Sequence, residues 1–195
     1  MRSGFNSQYP ERAHSKVVLR GIRIAEARVR FPVSPNFMKK VRKVRKKIVA
    51  VSGGFDPAHV GHVRMFNEAK KLGDELVVIL NNDNWLRKKK DFVFMDEQER
   101  KELIEAFEVV DRVIVSQHKP NDLDCSVCRE LTELRPHIFA NGGDRKPDGD
   151  PVPEVALCEE LGIKMVYNIG EGGKVQSSSW LIEKAAKLAK KKKKS

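Results

Sequence analysis

From Ile48 onward, short runs of almost unbroken apolar residues alternate with stretches in which apolar residues return every third or fourth position. The runs are Ile48-Val49-Ala50-Val51, Leu76-Val77-Val78-Ile79-Leu80, Val113-Ile114-Val115, His137-Ile138-Phe139-Ala140 and Lys164-Met165-Val166-Tyr167. Continuous apolarity of this length suits strands covered on both faces. Between them, Val63, Phe66, Ala69 and Leu72 mark one face of a first helix that stops at Gly73. Leu103, Ile104 and Phe107 mark a second, and Leu123, Val127, Leu131 and Leu134 a third, stopped by Pro136. Val155, Ala156 and the stretch from Leu157 to Leu161 mark a fourth, and Leu181, Ala185 and Leu188 a last one. Five strands alternating with helices predict an α/β fold, a doubly wound five-stranded parallel sheet in one domain. A sheet of this kind binds ligands beyond the carboxyl ends of its strands, near the switch in strand order. No internal repeat interrupts the pattern.

The ends of the chain read differently. Residues 1–37 hold no sustained period and contain Pro10, Pro32 and Pro35, so they read as an N-terminal extension without order of its own. The domain then covers residues 38–189, and 190–195 form a basic C-terminal tail. The net charge is +11, but residues 48–189 carry 25 acidic and 19 basic side chains, so the basicity belongs to the ends. Lysine runs at termini are solvated tails that touch polyanions weakly, which argues against nucleic acid as the main partner. No apolar run approaches the roughly 18 residues that cross a bilayer. Cys125, Cys128 and Cys158 are odd in number in a chain long enough to need no staples, which fits free thiols in a reducing, cytoplasmic setting. Cys125-x-x-Cys128 falls inside the third helical segment, with no second C-x-x-C, and reads as helix face or core.

The chemistry concentrates in Gly53-Gly54-Phe55-Asp56-Pro57-Ala58-His59-Val60-Gly61-His62. It follows the first strand, where the ligand of such a sheet lies. Gly53 and Gly54 let the backbone approach a phosphate, and Pro57 leaves the helix to begin near Gly61. The first N–H groups of that helix attract an anion, and His59 and His62 flank them. The spacing is neither that of a Walker loop nor G-x-G-x-x-G. A zinc site would need further ligands, and none clusters nearby. A single histidine here would read as structural; two of them in a glycine-rich turn point to fixed donors around a phosphate that gains charge.

Phe55-Asp56-Pro57-Ala58-His59-Val60-Gly61-His62 resembles the H-x-G-H signature of the cytidylyltransferase-like nucleotidyltransferase superfamily, and the resemblance runs over residues 48–186. Residues 68–83, 95–114, 141–150 and 174–182 resemble further family segments in the same order. Gly142-Gly143-Asp144 is more similar to heptose-phosphate adenylyltransferases than to the G-D-D-W of glycerol-phosphate cytidylyltransferases. Lys174 stands where the cytidylyltransferases have an arginine-bearing motif, and it cannot supply an arginine's bidentate geometry.

The resemblance implies a Rossmann-like enzyme that joins a nucleoside monophosphate to a phosphorylated sugar or polyol and releases pyrophosphate, with ATP favoured over CTP. Alternatives are a cytidylyltransferase acting on glycerol phosphate and a flavin-nucleotide adenylyltransferase. Outside the class, the rival is a basic nucleic-acid-binding protein on an inactive nucleotide fold, which the acidic core and intact H-x-G-H disfavour. By the same resemblance His59 and His62 meet the phosphates and the transition state, Gly54 and Phe55 give backbone contacts, and Gly61 opens the helix beneath them. One lysine of Lys88, Lys89 and Lys90, with Lys90 the candidate, and Arg100 join the catalytic set. Their bland readings are a solvated loop and a helix-surface ion pair. Asp144 would touch base or ribose, or only shape a turn. Ser177, Ser178 and Ser179 would bind the β- and γ-phosphates, or simply cap the last helix. Mg2+ is expected with the nucleotide and with few protein ligands, and a homodimer is the family habit.

Overall fold

In the computed structural model, residues 46–142, 153–170 and 175–192 are described. The chain divides into Met1–Lys43 and Val44–Ser195, and the described residues all belong to the second unit. Its elements run β1 (Ile48–Gly53), α1 (Val60–Lys70), β2 (Glu75–Leu80), α2 (Asp83–Lys90), α3 (Glu97–Glu105), β3 (Arg112–Val115), α4 (Cys128–Leu134), β4 (Ile138–Gly142), α5 (Glu154–Leu161), β5 (Lys164–Ile169) and α6 (Ser178–Lys192).

The five strands form one parallel sheet in the order β3-β2-β1-β4-β5. The fold is the expected Rossmann-like one. The chain winds from β1 outward to β3, then returns to lay β4 against the free side of β1, so the switch in order lies between β1 and β4. Each central strand feeds two cores. Val49 and Val51 join Phe66, Leu76, Val78, Leu80 and Ile104 on one face, while Ala50 joins Ile79, Leu131, Phe139 and Cys158 on the other. That two-sided burial is why these strands read as unbroken apolar runs.

Three helical readings change. Lys88, Lys89 and Lys90 are not in a loop but form the last turn of α2. Asn82 caps that helix by accepting from the Trp85 N–H, Leu86 anchors it, and three lysines at its C-terminus suit the helix dipole. The third predicted helix starts at Cys128 rather than Leu123, which is 91% exposed. Asp122 and Asp124 accept backbone N–H bonds from Asp124 and Ser126, and these local turns compete with the helix. Cys125 therefore precedes α4, with its carbonyl accepting from the Trp85 indole, and Cys128 opens the helix; all three cysteines are free. Finally, α6 continues to Lys192, so the expected tail boundary at 189 falls inside a helix. From Glu183 to Lys190 every residue of α6 is exposed, including Leu188, so this half of the helix contributes nothing to the core.

Candidate active site

The turn after β1 is built from the inside out. Phe55 adopts a left-handed backbone (φ 48°) and is almost fully buried. A Cβ on Gly53 would lie 2.8 Å from the tip of the Phe55 ring, so glycine at 53 makes room for that ring. At Gly54 a Cβ would lie 2.8 Å from Leu86, so glycine at 54 makes room for the packing of α2. Phe55 in turn meets His62 edge-on, with ring centroids 4.8 Å apart.

The spacing of the two histidines is the spacing of a helix cap. His59 is the N-cap of α1: its Nδ1 accepts from the Gly61 N–H at 3.2 Å, and His62 Nδ1 accepts from the His59 N–H at 3.3 Å. This is a capping box in which two imidazoles take the parts usually played by a hydroxyl and a carboxylate. The rings stack, centroids 3.7 Å apart and 20° from parallel. Because each Nδ1 accepts, the neutral tautomer of each ring carries its proton on Nε2, which is then a donor available to a ligand.

The surroundings keep both rings neutral. Burial first, then the neighbouring His59 and Lys90, push the His62 pKa down to about 3. His59 is also lowered, chiefly by burial, with Lys90 acting in the same sense against a raising backbone hydrogen bond. Lys90 is half-buried, and its Nζ lies 3.4 Å from the Asp56 carbonyl. Its pKa is lowered mainly by burial; Asp56 pulls it up and Arg100 pushes it down.

Phe55, His59, Gly61, His62, Lys90, Ser177, Ser178 and Ser179 all line one cavity of about 310 Å³, at the carboxyl ends of β1 and β4. That volume falls within the range of small-molecule sites. The serines divide their labour. Ser177 Oγ accepts from the Trp180 N–H and caps α6, while Ser178 Oγ donates to the Pro57 carbonyl at 2.9 Å and pins α6 to the histidine turn. The exposed Ser179 has neither of these bonds.

Arg100 and Gly54 are not brought to the cavity. The Arg100 side chain is fully buried and its guanidinium donates to Met95 O, Gly54 O, Asn81 O and Asp83 Oδ1. It ties together the chain segments around the site, a positioning role instead of contact with the reacting atoms or a surface ion pair. Asp144 and Lys174 lie outside the described residues. Sequence reasoning missed Ser52, Met65, Asn141, Ile169 and Gln176, which also line the cavity. It also missed Asp56, whose fully buried carboxylate accepts from the N–H groups of Phe94 and Met95, each at 2.8 Å.

Residues 50–150 match the cytidylyltransferase-like family. The chain belongs to that family. It is accordingly a nucleotidyltransferase, as its relatives indicate. A protein named FAD synthase from Thermoplasma volcanium is 31% identical over 140 residues, covering 72% of this chain and 94% of that one. The bifunctional protein HldE of Pelobacter propionicus is 37% identical over 107 residues, which cover 53% of this chain but only 20% of HldE. Among solved structures, a lipopolysaccharide core biosynthesis protein from Thermoplasma volcanium superposes with a TM-score of 0.52 at 32% identity, covering 64% of this chain and 98% of that one. No helix among the described residues is long and apolar enough to cross a membrane.

Proposed function

We propose that this nucleotidyltransferase moves the adenylyl group of ATP onto the phosphate of FMN, forming FAD and pyrophosphate. The observation that carries the reaction type is the pair of neutral Nε2–H donors beside the half-buried Lys90 in one cavity. The flavin acceptor is favoured by the relatives named FAD synthase, one of which aligns over 94% of its length.

In the step itself, an oxygen of the acceptor phosphate attacks the α-phosphorus of the triphosphate. A new P–O bond forms, the bond to the oxygen bridging to the β-phosphorus breaks, and that oxygen leaves with the pyrophosphate. No covalent enzyme intermediate is needed, so the protein contributes position and charge stabilisation. His59 and His62 donate from Nε2 to phosphoryl oxygens, with each Nδ1 kept by the cap as an acceptor. Lys90 supplies the positive charge. Ser179 and the N-terminus of α6, fixed by Ser178 to Pro57, hold the distal phosphates. A magnesium ion would be held mainly by the triphosphate's own oxygens and water. When bound, that ion neutralises charge on the phosphates.

A second reading keeps the chemistry and changes the acceptor to a sugar phosphate; the similarity to HldE favours it. The two are separated by incubating the protein with Mg2+ and ATP or CTP, together with FMN, a heptose phosphate or glycerol phosphate, and measuring pyrophosphate. FAD should form from ATP and FMN, and CTP should support pyrophosphate release with FMN less efficiently. Pyrophosphate release with a sugar phosphate and none with FMN would overturn the flavin reading.

A further inference from the structure

The segment that leaves Lys90 holds two phenyl rings in solvent. Phe92 is 42% exposed and Phe94 60%. Single exposed apolar residues are ordinary on protein surfaces. Here there are two within three positions, directly after a cation that lines the phosphate-binding cavity. Their backbone is fastened: the buried Asp56 carboxylate accepts from Phe94 N–H and Met95 N–H, and Lys90 Nζ approaches the carbonyl of the same Asp56. The rings therefore sit on a strap tied to the turn that carries His59. Two residues of chain span at most about 7 Å, so Phe92 lies within that distance of Lys90 along the backbone.

We infer that Phe92 and Phe94 form the platform for the flat aromatic ring of the acceptor, whose phosphate lies toward Lys90. This rests on the flavin reading above and names the residues that hold the flavin. A sugar acceptor needs polar partners for its hydroxyls, and phenyl faces supply none. An isoalloxazine presents a broad planar π surface that packs well on aromatic rings. In FMN a polyol chain separates this ring from the phosphate, which matches a cation and an aromatic pair that are neighbours without coinciding.

The test measures steady-state kinetics with ATP and FMN for the full chain and for Phe92→Ala, Phe94→Ala, the double variant, Phe92→Tyr and Phe94→Trp. Each alanine variant should raise the KM for FMN roughly ten-fold while leaving the KM for ATP unchanged. Phe92→Tyr should stay near the parent. In Phe94→Trp, the fluorescence of bound FMN should be quenched more strongly than in the parent. Because both rings are exposed, melting temperatures should hold. A parent that adenylates FMN, with a folded double-alanine variant whose KM for FMN stays within about twofold, overturns this inference alone. A parent that releases no pyrophosphate with FMN overturns both this inference and the flavin reading.

Discussion

His59 and His62 each satisfy a backbone N–H of their own turn through Nδ1, and that bond decides what Nε2 can do. Structure and chemistry are thus not rival explanations for the pair: the cap fixes the tautomer, and the tautomer makes the donor. Alanine at either position removes the cap as well as the donor and should cost about 1 kcal/mol of stability. Asparagine is the sharper substitution at 59, because it is a good N-cap. His59→Asn and His62→Asn should melt within a few degrees of the parent. Loss of the correctly placed donor should lower kcat by about 10²–10³ in either variant. Affinity for the triphosphate should fall less, since interactions that strengthen only in the transition state act mainly on kcat. A folded variant with near-parent turnover in the pyrophosphate assay would defeat the donor role. The same pair carries a pH signature. The folded His62 stays neutral down to about 3, whereas an unfolded histidine takes up a proton below about 6.5. The unfolded state therefore binds more protons in that window, and stability falls as pH drops through it. The contribution is complete above about pH 6.5 and declines toward pH 3, by at most about 1.4 kcal/mol per pH unit for each histidine. His59 acts in the same sense. Denaturant titrations between pH 7.5 and 4.5 should show this slope in the parent and a shallower one in His62→Asn.

At the scale of elements, the strands were legible because burial on both faces leaves an unbroken apolar run, with Val49, Ala50 and Val51 as the example. The helix α2 was hidden because eight residues with a single buried anchor, Leu86, show no period beneath so many charges. α4 was started too early because Leu123 falls at helical spacing while Asp122 and Asp124 hold the backbone in turns. The turn and the serine trio were visible as unusual residue types. Asn141 and Ile169 are ordinary residues that only the placement of β4 beside β1, and of β5 beside β4, brings to the cavity. Arg100 shows the limit most clearly: its place near a helix start was legible, and its four acceptors, drawn from three segments of the chain, were not. Those acceptors fit a planar fork better than an ammonium. Arg100→Lys should lose about 3 kcal/mol of unfolding free energy, the scale of breaking a buried pair. Turnover should fall with it, because the Gly54 and Asn81 carbonyls lose their common tether. Chemical denaturation and pyrophosphate release measure the two effects separately. An Arg100→Lys protein as stable and active as the parent would return Arg100 to the status of a replaceable charge.

For the whole molecule, charge and catalysis belong to different parts of the chain. The sheet, both cores and every described residue of the cavity lie within Val44–Ser195, while the positive net charge of +11 comes entirely from residues 1–47 and 190–194, the residues between them being net acidic. The place to separate them is set by Lys47, whose carbonyl accepts from the N–H groups of Asp74 and Glu75 and whose own N–H donates to Asp74 Oδ2. A deletion through 47 would remove bonds that anchor the start of β2, and a deletion of residues 1–43 would not. The chain 44–195 should therefore keep pyrophosphate release within about threefold of the parent, a difference of under 1 kcal/mol in transition-state terms. Its retention on a heparin column should fall to lower salt, because retention of this kind scales with the number of cations facing the polyanion. The opposite pair of results, with retention kept and turnover lost, would place the function of this chain in polyanion binding and leave the histidine turn as scaffold.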